Sequence, residues 1–139
     1  MHSYSRKIFY YETDRMGVVH HSNFVRWLEE ARVDYMSAGG APFDEMEAEG
    51  VFCPVIGVEI AFKHFARFGD TFRVDLWVER YTGVKLSIGY RVFNQDETLI
   101  LTAQTSHGFV GKDYRPVSLK KSSPRFHAAF EGNVEGGPK

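Results

Sequence analysis

A long helical pattern stands out in the first third of the chain. From Phe24 onward, apolar residues recur three or four positions apart, which is the spacing of one buried helix face. Ser22 or Asn23 can cap the start, because both side chains accept hydrogen bonds from free backbone amides, and Gly39 follows the last repeat. The sequence therefore predicts an amphipathic helix whose buried face consists of Phe24, Leu28, Ala31 and Tyr35.

Alternation of apolar and polar residues predicts strands on both sides of this helix. One β-favouring segment, Tyr4 to Tyr11, precedes it. Four alternating segments follow the helix, and turn-forming residues separate them. Short connections favour antiparallel neighbours, so we expect an α+β fold in which the long helix packs on a curved five-stranded antiparallel sheet. The four later segments cover approximately residues 58–63, 72–79, 85–92 and 99–110.

The remaining segments predict two short helices and no domain boundary. The helices are expected at Phe43 to Glu49 and near Pro124 to Phe130. Neither an internal repeat nor a linker interrupts the chain, so residues 1–132 are predicted to form a single domain. The Gly-rich residues 133–139 are predicted to form a flexible C-terminal tail.

Composition narrows the class of protein. Of 139 residues, 43% are hydrophobic and 15% aromatic, which is typical of a folded domain. A net charge of -1 argues against a nucleic-acid binder. The single cysteine, Cys53, excludes an internal disulfide and fits a reducing compartment. No segment approaches the roughly 20 apolar residues of a membrane span, and no signal peptide is recognised, so we expect a cytoplasmic protein.

The candidate chemistry lies where the first strand leads into the long helix. Asp14 sits in this loop, and a carboxylate can act as a base or a nucleophile. Free N–H groups at the helix start can stabilise an oxyanion, so the pair suits acyl transfer. Spacing alone favours the other interpretation, in which Asp14 is an ordinary turn or capping residue. Glu12 is expected to be structural, although it could be a second carboxylate.

Other reactive side chains carry weaker signals. Cys53 is expected to be a small buried residue, since no base is near it in sequence. The adjacent His20 and His21 lack a convincing third ligand, so no metal site is predicted. His64 and His107 lie in strand patterns and are expected to be packing or surface residues.

Several motifs together resemble one known family. The chain is similar to the hotdog-fold acyl-CoA thioesterases of the 4-hydroxybenzoyl-CoA thioesterase-like family, including those associated with the Tol-Pal system. The resemblance extends over nearly the whole chain. The motifs that carry it are YETD at 11–14, GVVHHSNF at 17–24, WLE at 27–29, AR at 31–32 and ARFGD at 66–70.

The resemblance implies roles for individual residues. It places the catalytic carboxylate on Asp14 and the oxyanion-binding N–H near His21, whose side chain would assist. Arg15 and Met16 stand where the family commonly has small residues or proline, which leaves the shape of the acyl pocket open. The residues expected to bind substrate are Gly17, Val18, Val19 and Asn23.

The resemblance also implies a reaction and an assembly. The expected reaction is hydrolysis of an acyl-CoA to the free acid and CoA, with no metal or redox cofactor. The expected assembly is a homodimer or homotetramer with sites at the subunit interface. Asp14 would either attack the carbonyl or activate a water, and aromatic and short aliphatic acyl groups both remain open. Basic residues should contact the CoA phosphates, with candidates Lys63, Arg67, Lys112, Arg115, Lys120 and Lys121.

Two other functions remain open at this point. One is a hydratase or dehydratase acting on acyl thioesters, for which His21 and Glu30 would form a poor imitation of the required His and helix carboxylate. The other is a non-catalytic acyl-CoA-binding module, since a fold by itself does not establish a function.

Overall fold

The computed structural model describes residues 1–138, and its backbone is built around one antiparallel sheet. The strands are β1 (His2–Lys7), β2 (Val55–Phe62), β3 (Thr71–Tyr81), β4 (Lys85–Phe93) and β5 (Leu99–Gly108). The α-helices are α1 (Ser22–Ala38), α2 (Phe43–Ala48), α3 (Leu119–Ser122) and α4 (Pro124–Gly132), and a 3-10 turn covers Tyr10–Glu12.

The strand order leaves the first two strands at opposite edges. It runs β1-β3-β4-β5-β2, and every neighbouring pair is antiparallel. The expected α+β hotdog architecture, one long helix and a five-stranded antiparallel sheet, is confirmed. Because β2 is an edge strand, the backbone groups on its outer side lack a partner strand within residues 1–138.

The core forms between α1 and the inner face of the sheet. The ring of Trp27 stacks on that of Phe72 in β3, with centroids 3.9 Å apart and an interplanar angle of 7°. The predicted helix face is confirmed, because Phe24, Leu28 and Ala31 are buried. Burying a large apolar side chain contributes about 1.5–3 kcal/mol, so this face holds the helix on the sheet.

The approach to α1 differs from the sequence prediction in two ways. The strand predicted to reach Tyr11 ends at Lys7, because the Glu12 carboxylate accepts the Phe9 N–H at 2.8 Å and bends the chain into a turn. The residue flanking the first helical turn is His21, and Ser22 and Asn23 lie inside the helix. The predicted capping by these two side chains is therefore wrong.

The end of the chain contacts the third strand. The backbone N–H groups of Glu135 and Gly136 both donate to the Val78 carbonyl, at 3.0 and 3.3 Å. Lys139, the last residue of the predicted tail, lies outside the described residues. The flexibility of residues 133–139 and the single domain over residues 1–132 stay predictions. Across residues 1–138, no helix is long and apolar enough to cross a membrane.

Candidate active site

Asp14 is presented by a tight hairpin between β1 and α1. Its backbone N–H donates to the Val18 carbonyl at 2.9 Å, and its carbonyl accepts the Gly17 N–H at 3.0 Å. Thr13 and Val19 pair across the base of the hairpin. Gly17 has a φ of +77°, which glycine adopts without the steric cost of a Cβ. The sequence at 13–19 thus fixes a turn that places Asp14 at its first position.

The two carboxylate oxygens of Asp14 have different surroundings. Oδ1 accepts the backbone N–H groups of Met16 at 2.8 Å and Val18 at 3.4 Å, which is an Asx-type turn. Among residues 1–138, no group donates a hydrogen bond to Oδ2. The turn role left open by the sequence is therefore present, and it orients the side chain while one oxygen stays available for chemistry.

This carboxylate borders a cavity of about 660 Å³. The walls come from the hairpin, from the start of α1 and from the segment that follows β2. Most lining side chains are apolar, so the cavity suits an acyl group with a few polar contacts. The lining residues are Asp14, Met16, Val18, Val19, His20, His21, Phe24, Phe62, Lys63, His64, Phe65 and Ala66.

The predicted site residues are only partly brought together. Asp14, His21, Val18 and Val19 line the cavity. Gly17 shapes the hairpin and is absent from the lining formed by the described residues. Asn23 is also absent from it; the side chain is buried, and Nδ2 donates to the Glu12 carbonyl at 2.8 Å.

The start of α1 offers one free backbone donor. The His20 carbonyl accepts the Asn23 N–H at 3.0 Å and so points along the helix. Because N–H and C=O point in opposite directions across a trans peptide, the His21 N–H points away from the helix body. Among residues 1–138, no atom accepts this N–H. A free donor at a helix N-terminus can stabilise a developing oxyanion.

A buried anchor lies directly behind the hairpin. The Glu12 carboxylate accepts two hydrogen bonds from the Arg6 guanidinium, at 2.7 and 2.8 Å, and one from Trp27 Nε1 at 2.7 Å. Burial opposes ionisation of Glu12, but these donors and the Phe9 N–H outweigh it and hold the pKa of the carboxyl below its usual value. These contacts agree with the structural role expected for Glu12.

A second polar cluster under α1 is chemically quiet. Burial, only partly offset by the nearby Arg32 cation, raises the pKa of the Cys53 thiol to about 11, so the thiol stays protonated near neutral pH. Burial and the Arg32 cation lower the pKa of His107 to about 3. Arg32 donates to His107 Nδ1 at 3.1 Å, which occupies the lone pair a base would need. Cys53 is a buried structural residue, as expected.

Of the wall formed by the end of β2 and the segment after it, the sequence analysis assigned only Lys63, as a candidate contact for the CoA phosphates. Phe62, Lys63, His64 and Phe65 lie some 40 residues or more beyond the hairpin in sequence, and they join the site because the Val19 N–H donates to the Ala66 carbonyl at 2.8 Å. His64 Nδ1 contacts the Leu99 carbonyl at 2.9 Å and must be the donor, since a carbonyl only accepts. The ARFGD motif, which begins at Ala66, was the sequence signal nearest to this wall.

Comparison with known proteins places these observations in a family. The family model of the Thioesterase-like superfamily matches residues 10–130, which includes the hairpin, α1 and the whole of β2 to β5. The chain belongs to this superfamily. The suspected family is thereby confirmed, and so is the expectation of a thioester hydrolase at the level of the family.

Individual proteins of known name resemble the chain over most of its length. The chain is 35% identical over 126 residues to YneP of Bacillus subtilis, covering 90% of this chain and 91% of YneP. It is 26% identical over 98 residues to the acyl-CoA thioester hydrolase YbgC of Escherichia coli, covering 70% and 73%. The structure of a DHNA-CoA thioesterase from Staphylococcus aureus matches with a TM-score of 0.90 and 30% identity, covering 94% and 88%.

Within residues 1–138, no group of three or more His, Cys, Asp or Glu side chains is arranged to hold a metal ion. The rings of His20 and His21 lie beside each other, with centroids 4.2 Å apart and planes tilted by 30°.

Proposed function

We propose that the protein hydrolyses an acyl-CoA thioester to the free acid and CoA, with Asp14 as the reacting carboxylate. One observation carries the proposal: Asp14 and His21 line one largely apolar cavity, and an Asp14 oxygen and the His21 N–H have no protein partner among residues 1–138. Thioester hydrolysis needs such a pair, namely a base or nucleophile and a donor for the carbonyl oxygen.

Two routes lead from this arrangement to the products. In both, the thioester carbonyl oxygen accepts the His21 N–H and takes up negative charge as the carbonyl is attacked. Asp14 either removes a proton from the attacking water or attacks the carbonyl itself, forming a mixed anhydride that water then cleaves. In each route the C–S bond breaks, water supplies the hydroxyl of the acid, and the CoA thiolate takes up a proton.

The same proposal includes a dimer formed through β2. This edge strand exposes Val55, Ile56, Val58 and Phe62, and a second copy could pair with it. In an antiparallel two-fold pairing, the start of one β2 faces the end of the other. A cavity of about 540 Å³ lies beside Val55 at the start of β2. The Asp14 cavity lies at the other end of β2, beside Phe62. Antiparallel pairing would therefore bring the first cavity of one copy towards the Asp14 cavity of the other.

Light scattering tests the assembly. We expect at least a dimer at micromolar concentration, and Val58→Lys should shift it towards monomer, because it replaces an exposed apolar side chain of the edge strand by a charged one. Glu59→Lys is a matched control on the same strand, with a side chain on the opposite face. A monomeric wild-type protein with full activity would contradict the proposed interface but not the proposed hydrolysis.

The position of Glu30 argues against the dehydratase alternative. Arg6 donates to its carboxylate at 3.0 Å and Tyr4 Oη at 3.2 Å. Glu30 lines a separate groove with Tyr4 and Asp34, so this carboxylate is not placed beside His21 in the Asp14 cavity. Glu30 therefore does not supply the helix carboxylate that acyl-thioester dehydration needs.

A thiol-release assay over a panel of acyl-CoA esters tests the reaction. The panel should include aromatic acyl groups, because one similar structure is a DHNA-CoA thioesterase, and short aliphatic ones. Hydrolysis gives equal amounts of free thiol and free acid. A hydratase would change the acyl chain without releasing thiol, and a binding module would bind without turnover; either result contradicts the proposal.

A further inference from the structure

The start of α1 is capped in an unusual way. The flanking residue, His21, provides no side-chain cap, and serine, threonine, asparagine or aspartate would be the ordinary choice at this position. The ring of the preceding residue, His20, takes over. Its Nδ1 lies 3.2 Å from the Ser22 backbone nitrogen and 2.9 Å from Ser22 Oγ.

Three hydrogen bonds hold His20, one each at its backbone N–H, its carbonyl and its ring. The His20 N–H donates to the Glu12 carbonyl at 2.9 Å, and the His20 carbonyl accepts the Asn23 N–H at 3.0 Å. The ring bond to Ser22 is the third restraint. The His20–His21 peptide carries the free His21 N–H, so these contacts fix the direction of that donor.

We propose that His20 is a positioning residue that aims the His21 N–H at the thioester oxygen and does so only while its ring is neutral. This inference rests on the proposed function. The Ser22 backbone N–H can only donate, so Nδ1 must present its lone pair and the ring proton must reside on Nε2. A second proton, on Nδ1, would remove the acceptor and place a positive charge at the positive end of the helix dipole.

The charged and titratable groups around the ring define what else can respond to pH. The neighbouring ring is that of His21, and the other titratable side chains on the cavity wall are Asp14, Lys63 and His64. His21 and His64 are imidazoles as well, so a pH profile of the wild-type enzyme alone cannot identify the responding ring. Variants at position 20 can.

Two substitutions separate capping from a merely structural role. His20→Asn keeps a capping oxygen that does not titrate, whereas His20→Ala leaves the Ser22 N–H without an acceptor. Loss of an oxyanion donor costs about 100- to 1,000-fold in kcat, and loosening one should cost less, roughly tenfold for the alanine variant. The asparagine variant should stay within about threefold of wild type, and KM should change little in both, because the donor acts on the developing charge.

The pH dependence of kcat distinguishes a positioning role of His20 from a purely structural one, because a structural role would not change it. Wild-type kcat should fall on acidification, because a proton on Nδ1 removes the acceptor of the Ser22 N–H, and His20→Asn should lose part of that fall. A His20→Ala variant with the same kcat as wild type would overturn the proposal. So would an asparagine variant as impaired as the alanine variant, since that result would assign His20 a role that only an imidazole can perform.

An NMR measurement tests the cap without any substrate. In protein labelled with ¹⁵N-histidine, His20 should carry its proton on Nε2 and present an unprotonated Nδ1 at neutral pH. Finding the proton on Nδ1 would overturn the proposal. If instead the tautomer is as expected but no thioester of the panel is hydrolysed, the proposed function fails and with it the oxyanion role, while the capping geometry stands.

Discussion

Two carboxylates only two residues apart have opposite surroundings. Glu12 is buried, and both of its oxygens accept hydrogen bonds from Arg6, Trp27 and the backbone of Phe9. Asp14 borders a cavity, and only one of its oxygens is bonded to the described protein. A carboxylate whose acceptor sites are filled has little capacity left for a substrate, so this difference distinguishes the anchor from the reacting group.

The comparison also shows how the anchor serves the site. The Glu12 carbonyl accepts the His20 N–H and the Asn23 side chain, while its carboxylate holds Arg6 of β1 and Trp27 of α1. A single residue therefore ties the strand, the turn and the helix together. The Asp14 hairpin projects from this rigid base, as a preorganised site requires.

The largest effect is expected at Asp14. Asp14→Asn keeps an oxygen for the Met16 N–H but removes the base or nucleophile, so kcat should fall about 100- to 10,000-fold. Thermal stability should stay close to that of wild type, because asparagine forms the same turn. Steady-state kinetics and a melting curve measure the two quantities on one preparation.

Glu30→Gln is the matched control for this substitution. It removes a carboxylate from α1 that pairs with Arg6 outside the cavity, so kcat should stay near wild type. A turnover number near wild type in Asp14→Asn, or a collapse in Glu30→Gln, would refute the assignment and favour the helix-carboxylate alternative.

The second prediction breaks the anchor. Glu12→Gln leaves the half-buried Arg6 cation with Glu30 as its carboxylate partner, and it should lower the free energy of unfolding by roughly 2–3 kcal/mol, somewhat below the ~3–5 kcal/mol typical of a broken buried pair. Urea unfolding measures this loss. At a temperature where the variant stays folded, its kcat should fall far less than that of Asp14→Asn.

The anchor also predicts a dependence of stability on pH. The folded pKa of Glu12 is lowered, so its stabilising contribution is fully present above the unfolded glutamate pKa of about 4.3. It is lost as the pH falls through the lowered folded pKa, because the unfolded chain then binds more protons. Glu12→Gln should lack this part of the acid dependence, and a wild-type acid profile in the variant would contradict the pairing.

The sequence predicted the parts of the molecule that depend on local pattern. Helical spacing identified α1 and its buried face, and alternation identified the later strands. The boundary of β1 was missed because it depends on Glu12 turning back to the Phe9 N–H, a preference that competes with β propensity. The wall at Phe62 and His64 was missed because only strand pairing across the fold brings those residues to Asp14.

A smaller effect separates the two roles of Asp14. Asp14→Ala should lower kcat at least as much as Asp14→Asn does, but it also removes the acceptor for the Met16 N–H. The alanine variant should therefore be about 1 kcal/mol less stable than the asparagine variant, the usual worth of one hydrogen bond. Equal stability of the two variants would show that the Asx turn contributes nothing to the fold.

The smallest expected effect concerns two cations, one beside the Glu12 anchor and one at the Asp14 cavity. Arg6 is neutralised by Glu12 and Glu30, whereas Lys63 at the cavity has no carboxylate partner among residues 1–138. Salt shortens the Debye length from about 10 Å at 0.1 M to about 3 Å at 1 M. If Lys63 attracts the CoA phosphates, KM for an acyl-CoA should rise several-fold with salt. KM for the matching acyl-pantetheine, which lacks the nucleotide, should barely change, and Lys63→Gln should flatten the acyl-CoA response. Equal salt responses of the two substrates would show that no cation at the cavity binds the nucleotide of CoA. The contrast between the anchored Glu12 and the available Asp14 would still hold.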